Sequence, residues 1–270
     1  MSDISLTSAM RSNLSNLQSV NDLFNRTSDR LSTGKKVNSA SDDAAAFFAA
    51  QDHMGHASDL AARKQSMGEA IQTVKAASDG ITAITKLIEQ AKGLATAARS
   101  GTATDRAALA TQFGGLMTQI DQLAGDAGYK GTNFLASAGN SLVVEFNESG
   151  TSSLTITGAD SSSTGLGIAA AANSWVADVD IDAAVADLGT ALSTLRTQAS
   201  TLASNNGVIS ARQDFVASMI NTLTAGADKL TAADQNEEGA NMLALQTRQQ
   251  LGISALSLTS QAQQSILKLF

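Results

Sequence analysis

The sequence predicts a mainly α protein: a long antiparallel helical bundle or coiled coil, with paired N- and C-terminal helices and a small β-hairpin. Three observations lead there. Apolar residues recur every seven positions over most of the chain. Proline is absent and aromatics make up 4% of residues, so a core has to be built from thin layers of Ala and Leu, as in helix bundles. The period changes to two only near the middle, between about residues 142 and 158.

The first helix carries Met10, Leu17, Phe24 and Leu31 at seven-residue steps, with Leu6, Leu14 and Val20 on the adjoining stripe. It is a narrow seam on a polar helix. It should close at Gly34, which can take the left-handed conformation. A polar stretch, "STGKKVNSASDD", follows. The second helix should open after Ser39 or Ser41 as N-cap, with Asp42 and Asp43 in its first turn, where the helix dipole favours negative charge. Its seam is Leu60, Met67, Val74, Ile81, Ile88 and Ala95, up to a stop at Ser100-Gly101. A third helix shows Leu109, Phe113, Leu116, Ile120, Leu123 and Ala127.

"LVVEFN" and "LTITG", joined by "ESGTSS", form the expected hairpin. The next stretch, "ADSSSTGLGIAAAANS", is low in complexity and is expected to be a surface loop. The longest pattern runs from Ile181 through Leu188, Leu195, Leu202, Ile209 and Val216 to Leu230, broken only by Asn206 and Gln213. One helix of that extent would be about 75 Å long at ~1.5 Å per residue. "TAADQNEEGAN" interrupts it, and a final helix places Ala244, Leu251, Ala255, Leu258, Ala262 and Ile266 on one side. The layout is nearly mirror-symmetric, so the two ends should lie side by side.

Charge is informative by position. Between Lys130 and Arg196 there is no Lys or Arg but there are seven acids, and removing these from the 25 acids leaves 18, matching the 18 bases. Balanced ends suit packing on neighbours, and an acidic middle suits a solvated face. No basic stripe exists to neutralise phosphates, which argues against nucleic acid as a partner. No stretch approaches a membrane span, which argues against membrane insertion, and "MSDISLTSAM" reads as no cleavable secretory signal. With no cysteine, disulfides and thiolate metal sites are excluded. His53 and His56 at i, i+3 lack a clear third ligand and read as surface residues rather than a metal site. Asp42/Asp43 and Glu237/Glu238 are adjacent on the chain and point apart on a helix, so capping explains them better than acid–base work. No catalytic, cofactor or metal residues are assigned.

"RLSTGKKVNSASDDAAAFFAA" closely resembles the N-terminal signature of bacterial flagellin. "DRAALATQFGGLMTQIDQLAGDAGYKGTNFL" resembles that family's next helix and its aromatic-x-G-x-x-L turn. The C-terminal stretch from Leu230 to Phe270 is similar to flagellins of the alphaproteobacterial branch. The likeness covers about residues 1 to 140 and 180 to 270. It implies an extracellular filament subunit, an open helical homopolymer for swimming, that is not an enzyme. It further implies residues 1–41 as inner-core helix and joint, 42–230 as a rod-like shell around the hairpin and a central loop at 159–177, and 231–270 as joint and inner-core helix. The inner-core contacts would be Met10, Leu14, Leu17, Phe24, Leu31, Leu251, Leu258 and Ile266, and the joint residues Gly34, Asn38, Asp42 and Asp43. The terminal segments should become ordered only among neighbouring copies.

The resemblance also implies a type III export apparatus, a C-terminal chaperone, and hook-associated and cap proteins as partners. A segment read by the Toll-like flagellin receptor maps to Leu87, Gln90, Lys92 and Leu94. Here Gln90 stands where an arginine is expected and Gly93 where a glutamate is, so receptor activation should be weak. The central serines, Ser161, Ser162 and Ser163, with Thr164, would be open to O-linked sugars. Within the same export system, a hook–filament junction protein shares the S-T-G-K-x-V signature but tends to place proline near its aspartate pair. A secreted helical effector or translocator would want a strongly apolar helix, which is missing.

Overall fold

The computed structural model describes residues 8–267, apart from the side chains at positions 9, 263, 266 and 267. Leu6 and the Ile266 side chain, both expected on seams, lie outside the described residues. Five long helices are present: α1 (Ser8–Thr33), α2 (Ala44–Ala98), α3 (Ala103–Asp126), α4 (Asp178–Thr231) and α5 (Gln235–Leu267). Between α3 and α4 lie two antiparallel strand pairs, β1 (Gly128–Tyr129) with β2 (Thr132–Asn133), and β3 (Ser141–Glu145) with β4 (Ser153–Thr157). The chain divides into two compact units: residues up to Gly55 with those from Thr222 onward, and His56–Asn221. Helices α2 and α4 contribute to both.

In the His56–Asn221 unit the heptad seam of α2 is the core. Met67, Val74, Ile81, Ile88 and Ala95 are buried, as are Ile181, Leu188, Leu195, Leu202, Ile209 and Val216 of α4. The helices run antiparallel: the Gln213 amide donates to the Lys64 carbonyl at 3.2 Å near one end, and Arg99 pairs with Asp182 near the other. Helix α3 adds Phe113, Met117 and Ile120. Its start has a capping box, in which Thr102 Oγ1 accepts from the Asp105 amide and the Asp105 carboxylate accepts from the Thr102 amide. The Thr102 hydroxyl, donating to Asp105 Oδ2 at 2.7 Å, and then the Thr102 amide hold the Asp105 carboxyl below its usual pKa.

The β1–β2 pair is a small hairpin inside the expected aromatic-x-G-x-x-L turn. Lys130 and Gly131 occupy its two-residue loop, both with positive φ (46° and 82°). In the larger hairpin, Leu142 pairs with Ile156 and Val144 with Leu154. Val144 and Ile156 are buried and Val143 faces out, the alternation that a one-sided sheet requires. Four contacts tie the two hairpins to α2. His56 Nδ1 lies 2.8 Å from Glu148 Oε2, Arg63 pairs with Glu145, and Lys130 Nζ lies 2.8 Å from Glu69, which also accepts from the Tyr129 hydroxyl. Lys130 and Tyr129 depress the Glu69 pKa, and Glu69 in turn raises that of Lys130.

The central segment departs from the surface loop expected from its composition. Ser161 and Ser163 are buried, together with Leu166, Ile168 and Trp175. Ser161 Oγ donates to Gln198 Oε1 at 2.9 Å, and the Ser163 amide donates to Asp121 Oδ1 at 2.7 Å. Low complexity misled because sparse apolar residues (Leu166, Ile168, Trp175) are enough to pin a segment whose backbone donors find partners on neighbouring helices. Of the serine and threonine cluster, Ser161 is inaccessible to an enzyme that adds sugars, and Thr164 is exposed.

Candidate assembly site

The site of interest belongs wholly to the unit that holds both chain ends. Helix α1 stops as expected: Gly34 has φ +69°, and its amide donates to the Arg30 carbonyl at 2.9 Å. The chain then runs antiparallel to the segment between α4 and α5. Lys35 forms a β-bridge with Ala232. The Lys36 amide donates to the Thr231 carbonyl at 2.8 Å, and the Ala233 amide to the Gly34 carbonyl at 2.9 Å. Val37 is buried beneath this short ladder. The two polar stretches are thus one paired joint.

Asp42 closes the joint rather than entering a helix. One of its oxygens, Oδ2, accepts from the Asn38 amide at 3.1 Å, the Ser39 amide at 3.0 Å and the Ser39 hydroxyl at 3.0 Å. The Asn38 amide, then the Ser39 hydroxyl and amide, hold the Asp42 carboxyl below its ordinary pKa. The N-cap of α2 is Asp43, whose Oδ1 accepts from the Ala46 amide at 3.0 Å, so neither Ser39 nor Ser41 is the cap. An aspartate won because Ser39 is already committed to Asp42. Asp234 does the same for α5, accepting from the amides of Asn236 and Glu237. Asn38 reaches back to Thr33 Oγ1 at 3.2 Å, which ties the end of α1 to the turn that Asp42 closes.

Beyond the joint, α1 and α5 lie against each other as antiparallel helices. Their register is read from side-chain contacts. Arg30 Nη1 meets Glu238 Oε1 at 2.9 Å, Gln249 donates to Asn21 at 2.7 Å, and Leu17 touches the backbone at Gly252. A Cβ at position 252 would stand 2.7 Å from a Leu17 methyl, so glycine permits the close approach. Thr27, Glu238 and Leu245 are buried in this contact, and Leu17, Phe24, Met242, Gln249 and Leu256 are half-buried.

The apolar side of the last helix is not the side that meets α1. The side that carries Ala244, Leu251, Ala255, Leu258 and Ala262 is exposed, with Leu251 at 64% and Leu258 at 71%. The stripe facing α1 is Glu238, Met242, Leu245, Gln249, Gly252 and Leu256. Periodicity missed it because a polar pair, a buried ion pair and a glycine fill positions that a hydrophobic template scores as blanks. On α1 the expected residues divide: Leu17 and Phe24 are half-buried, Met10 is half-buried near the start, and Leu14 and Leu31 are exposed. The receptor-like residues sit on α2, Gln90 and Lys92 exposed, Leu87 and Leu94 half-buried. Among the described residues no group of three or more His, Cys, Asp or Glu is placed to hold a metal ion, and no helix is long and apolar enough to cross a membrane.

A chain whose two ends form one helix pair, with large apolar side chains left on the outside of that pair, is built to associate with other copies through unlike faces. It is a subunit of a helical polymer. The comparisons with known proteins give that class its family. The bacterial flagellin N-terminal helical region matches residues 4–140, and the bacterial flagellin C-terminal helical region matches residues 185–270. The flagellin FljM of Caulobacter vibrioides is 31% identical, over 95% of this chain and 94% of that protein. A flagellin of Brucella melitensis is 29% identical over 100% of this chain and 99% of its own length. A crystal structure of Bacillus cereus flagellin superposes with a TM-score of 0.49 at 19% identity, over 56% of this chain and 88% of that one. The chain belongs to the bacterial flagellin family, and it is a structural subunit of the extracellular flagellar filament that drives swimming.

Proposed function

We propose that α1 and α5 form the inner tube of the filament and that residues 42–230 form the surrounding shell, with the paired joint as the connection between them. The observation that carries this is the outward face of the terminal pair: Leu14, Leu31, Leu251 and Leu258 remain in water in a single copy. Burying a leucine contributes about 1.5–3 kcal/mol, so four such residues per copy are a large driving force for polymerisation. Leu17 and Phe24 hold α1 on α5 within one copy, a contact with only three buried side chains among the described residues. So thin a contact offsets little of the cost of ordering two helices, about 1–2 kcal/mol per residue. The terminal pair is therefore marginal in an isolated subunit and becomes fully ordered on assembly.

Deleting Ser260 to Phe270 is the direct test. The truncated chain should keep its helical shell, give a protease-resistant fragment of roughly residues 42 to 230, and form no filaments. Normal polymerisation of the truncated chain, or protease-resistant termini in the isolated subunit, would refute the mechanism.

Family membership supports passage through the flagellar type III export apparatus, carriage by a chaperone that binds the C-terminal segment, and contact with hook-associated and cap proteins. On α2, the uncharged Gln90 and Gly93 remove charge-assisted contacts that the receptor-binding segment of other flagellins offers. The subunit should then be a poor agonist of the Toll-like flagellin receptor. Reporter cells responding as strongly as they do to an enteric flagellin would disprove it.

A further inference from the structure

The turn that leads into α4 is strained. Asn173, Ser174 and Trp175, three successive residues with side chains, have φ of 47°, 52° and 60°. Left-handed backbone on a residue other than glycine crowds Cβ against the following carbonyl oxygen, and it ordinarily occurs at single positions rather than in runs. Such a run persists only where its surroundings hold it.

Two holds are visible. The Trp175 ring is fully buried and meets Phe113 edge-on, with centroids 5.0 Å apart and planes at 60°. Arg106 clamps the chain just beyond, with Nη1 donating to the Val176 carbonyl at 3.1 Å and Nη2 to Asp178 Oδ1 at 2.7 Å. The same guanidinium also binds the carbonyls of Arg99 and Gly101, so it is anchored on the α2–α3 connection. The seat is imperfect, however: the Trp175 indole N–H is buried and has no acceptor. A buried donor left unmatched is costly. Beside the turn, Val176 and Val179 are 67% and 70% exposed, the most exposed large apolar side chains described in the His56–Asn221 unit.

We propose that residues 172–176 are a strained catch that opens when copies pack. A neighbouring copy seated on Val176 and Val179 draws the turn out of the left-handed region. The indole then leaves Phe113, joins that contact and gives its N–H an acceptor. A second copy is the occupant because polymerisation supplies it next to every subunit, and because exposed valines at a strained turn favour an apolar protein surface over a charged or small-molecule ligand. The inference rests on the filament reading above.

Trp175 is the only tryptophan in the chain, so its emission reports this turn alone. The full-length protein is compared as subunit and as filament by emission maximum and acrylamide quenching. The catch requires a blue-shifted, protected signal in the subunit, and in the filament a red shift as the indole N–H gains an acceptor, with acrylamide quenching still weak because the neighbouring copy covers the ring. Ser174→Gly, which adopts positive φ without crowding, should raise the subunit Tm and suppress the change on polymerisation; Ser174→Val should lower the Tm. Filaments that form with the subunit's emission maximum unchanged would overturn the catch and leave the filament reading intact. A Ser174→Gly subunit of lower Tm would overturn it as well. If the wild-type chain forms no filaments under any assembly condition, the filament reading fails and the catch fails with it.

Discussion

Replacing Arg30 with methionine should impair assembly far more than replacing its partner Glu238 with glutamine. The Glu238 side chain is only 9% exposed, and among the described residues its ion-pair partner is Arg30, with Nη1 at 2.9 Å. Removing one member of a buried pair costs about 3–5 kcal/mol, because the charge left behind is desolvated and unpaired. Arg30 retains 30% exposure, so water reaches part of this site and reduces the loss to about 2–3 kcal/mol. In Glu238→Gln the amide oxygen still accepts, and the long guanidinium swings into solvent, for a loss of about 1 kcal/mol. Since the terminal pair orders on polymerisation, these losses appear in the critical concentration, at about 1.4 kcal/mol per tenfold. Arg30→Met should raise it roughly 30- to 150-fold and Glu238→Gln roughly fivefold. Sedimentation of filaments across a subunit dilution series measures both, with circular dichroism confirming that the shell stays helical. Equal shifts for the two variants, or no shift for Arg30→Met, would refute the claim that this pair is buried and links the terminal helices.

Gly252→Leu should raise the critical concentration about 5- to 100-fold, because overpacking against Leu17 costs about 1–3 kcal/mol; Gly252→Ala should be near neutral, its smaller clash offset by roughly 1 kcal/mol of helix propensity. Ile88→Ala, at a fully buried position of the α2 seam, should lower shell stability by about 2–5 kcal/mol in denaturant unfolding while leaving the terminal pair's exposed leucines in place. The joint should loosen in acid. The folded Asp42 pKa lies below its unfolded value, so the stabilisation it provides is complete above about pH 4 and is lost as pH falls through the folded pKa. Hydrogen-exchange protection of the Asn38 and Ser39 amides should fall over that range in the wild type, and should be low and flat with pH in Asp42→Ala.

Much of this molecule follows from local pattern. The α2 seam from Met67 to Ala95 and the α4 seam from Ile181 to Val216 were legible because every seventh position is apolar, and a helix presents such positions on one face whatever it meets. Gly34 as the end of α1 and the hairpin near 142–158 were legible for the same reason, since turn chemistry and alternation act over a few residues. Three features depended on the tertiary structure. Asp43, not Ser39 or Ser41, caps α2, because Ser39 is taken by Asp42. The central segment is packed, because Ser161 and Ser163 meet Gln198 and Asp121, partners about 40 residues away in the chain. The face of α5 that meets α1 is the one with Glu238, Leu245, Gln249 and Gly252, not the side of Leu251 and Leu258. Hydrophobic periodicity finds surfaces that want to leave water, but it does not say whether the same chain or another copy covers them. In this flagellin the chain itself covers a mixed face of α5, Leu245 and Leu256 with Glu238, Gln249 and Gly252, through an ion pair and a close helix approach, and leaves Leu251 and Leu258 outside.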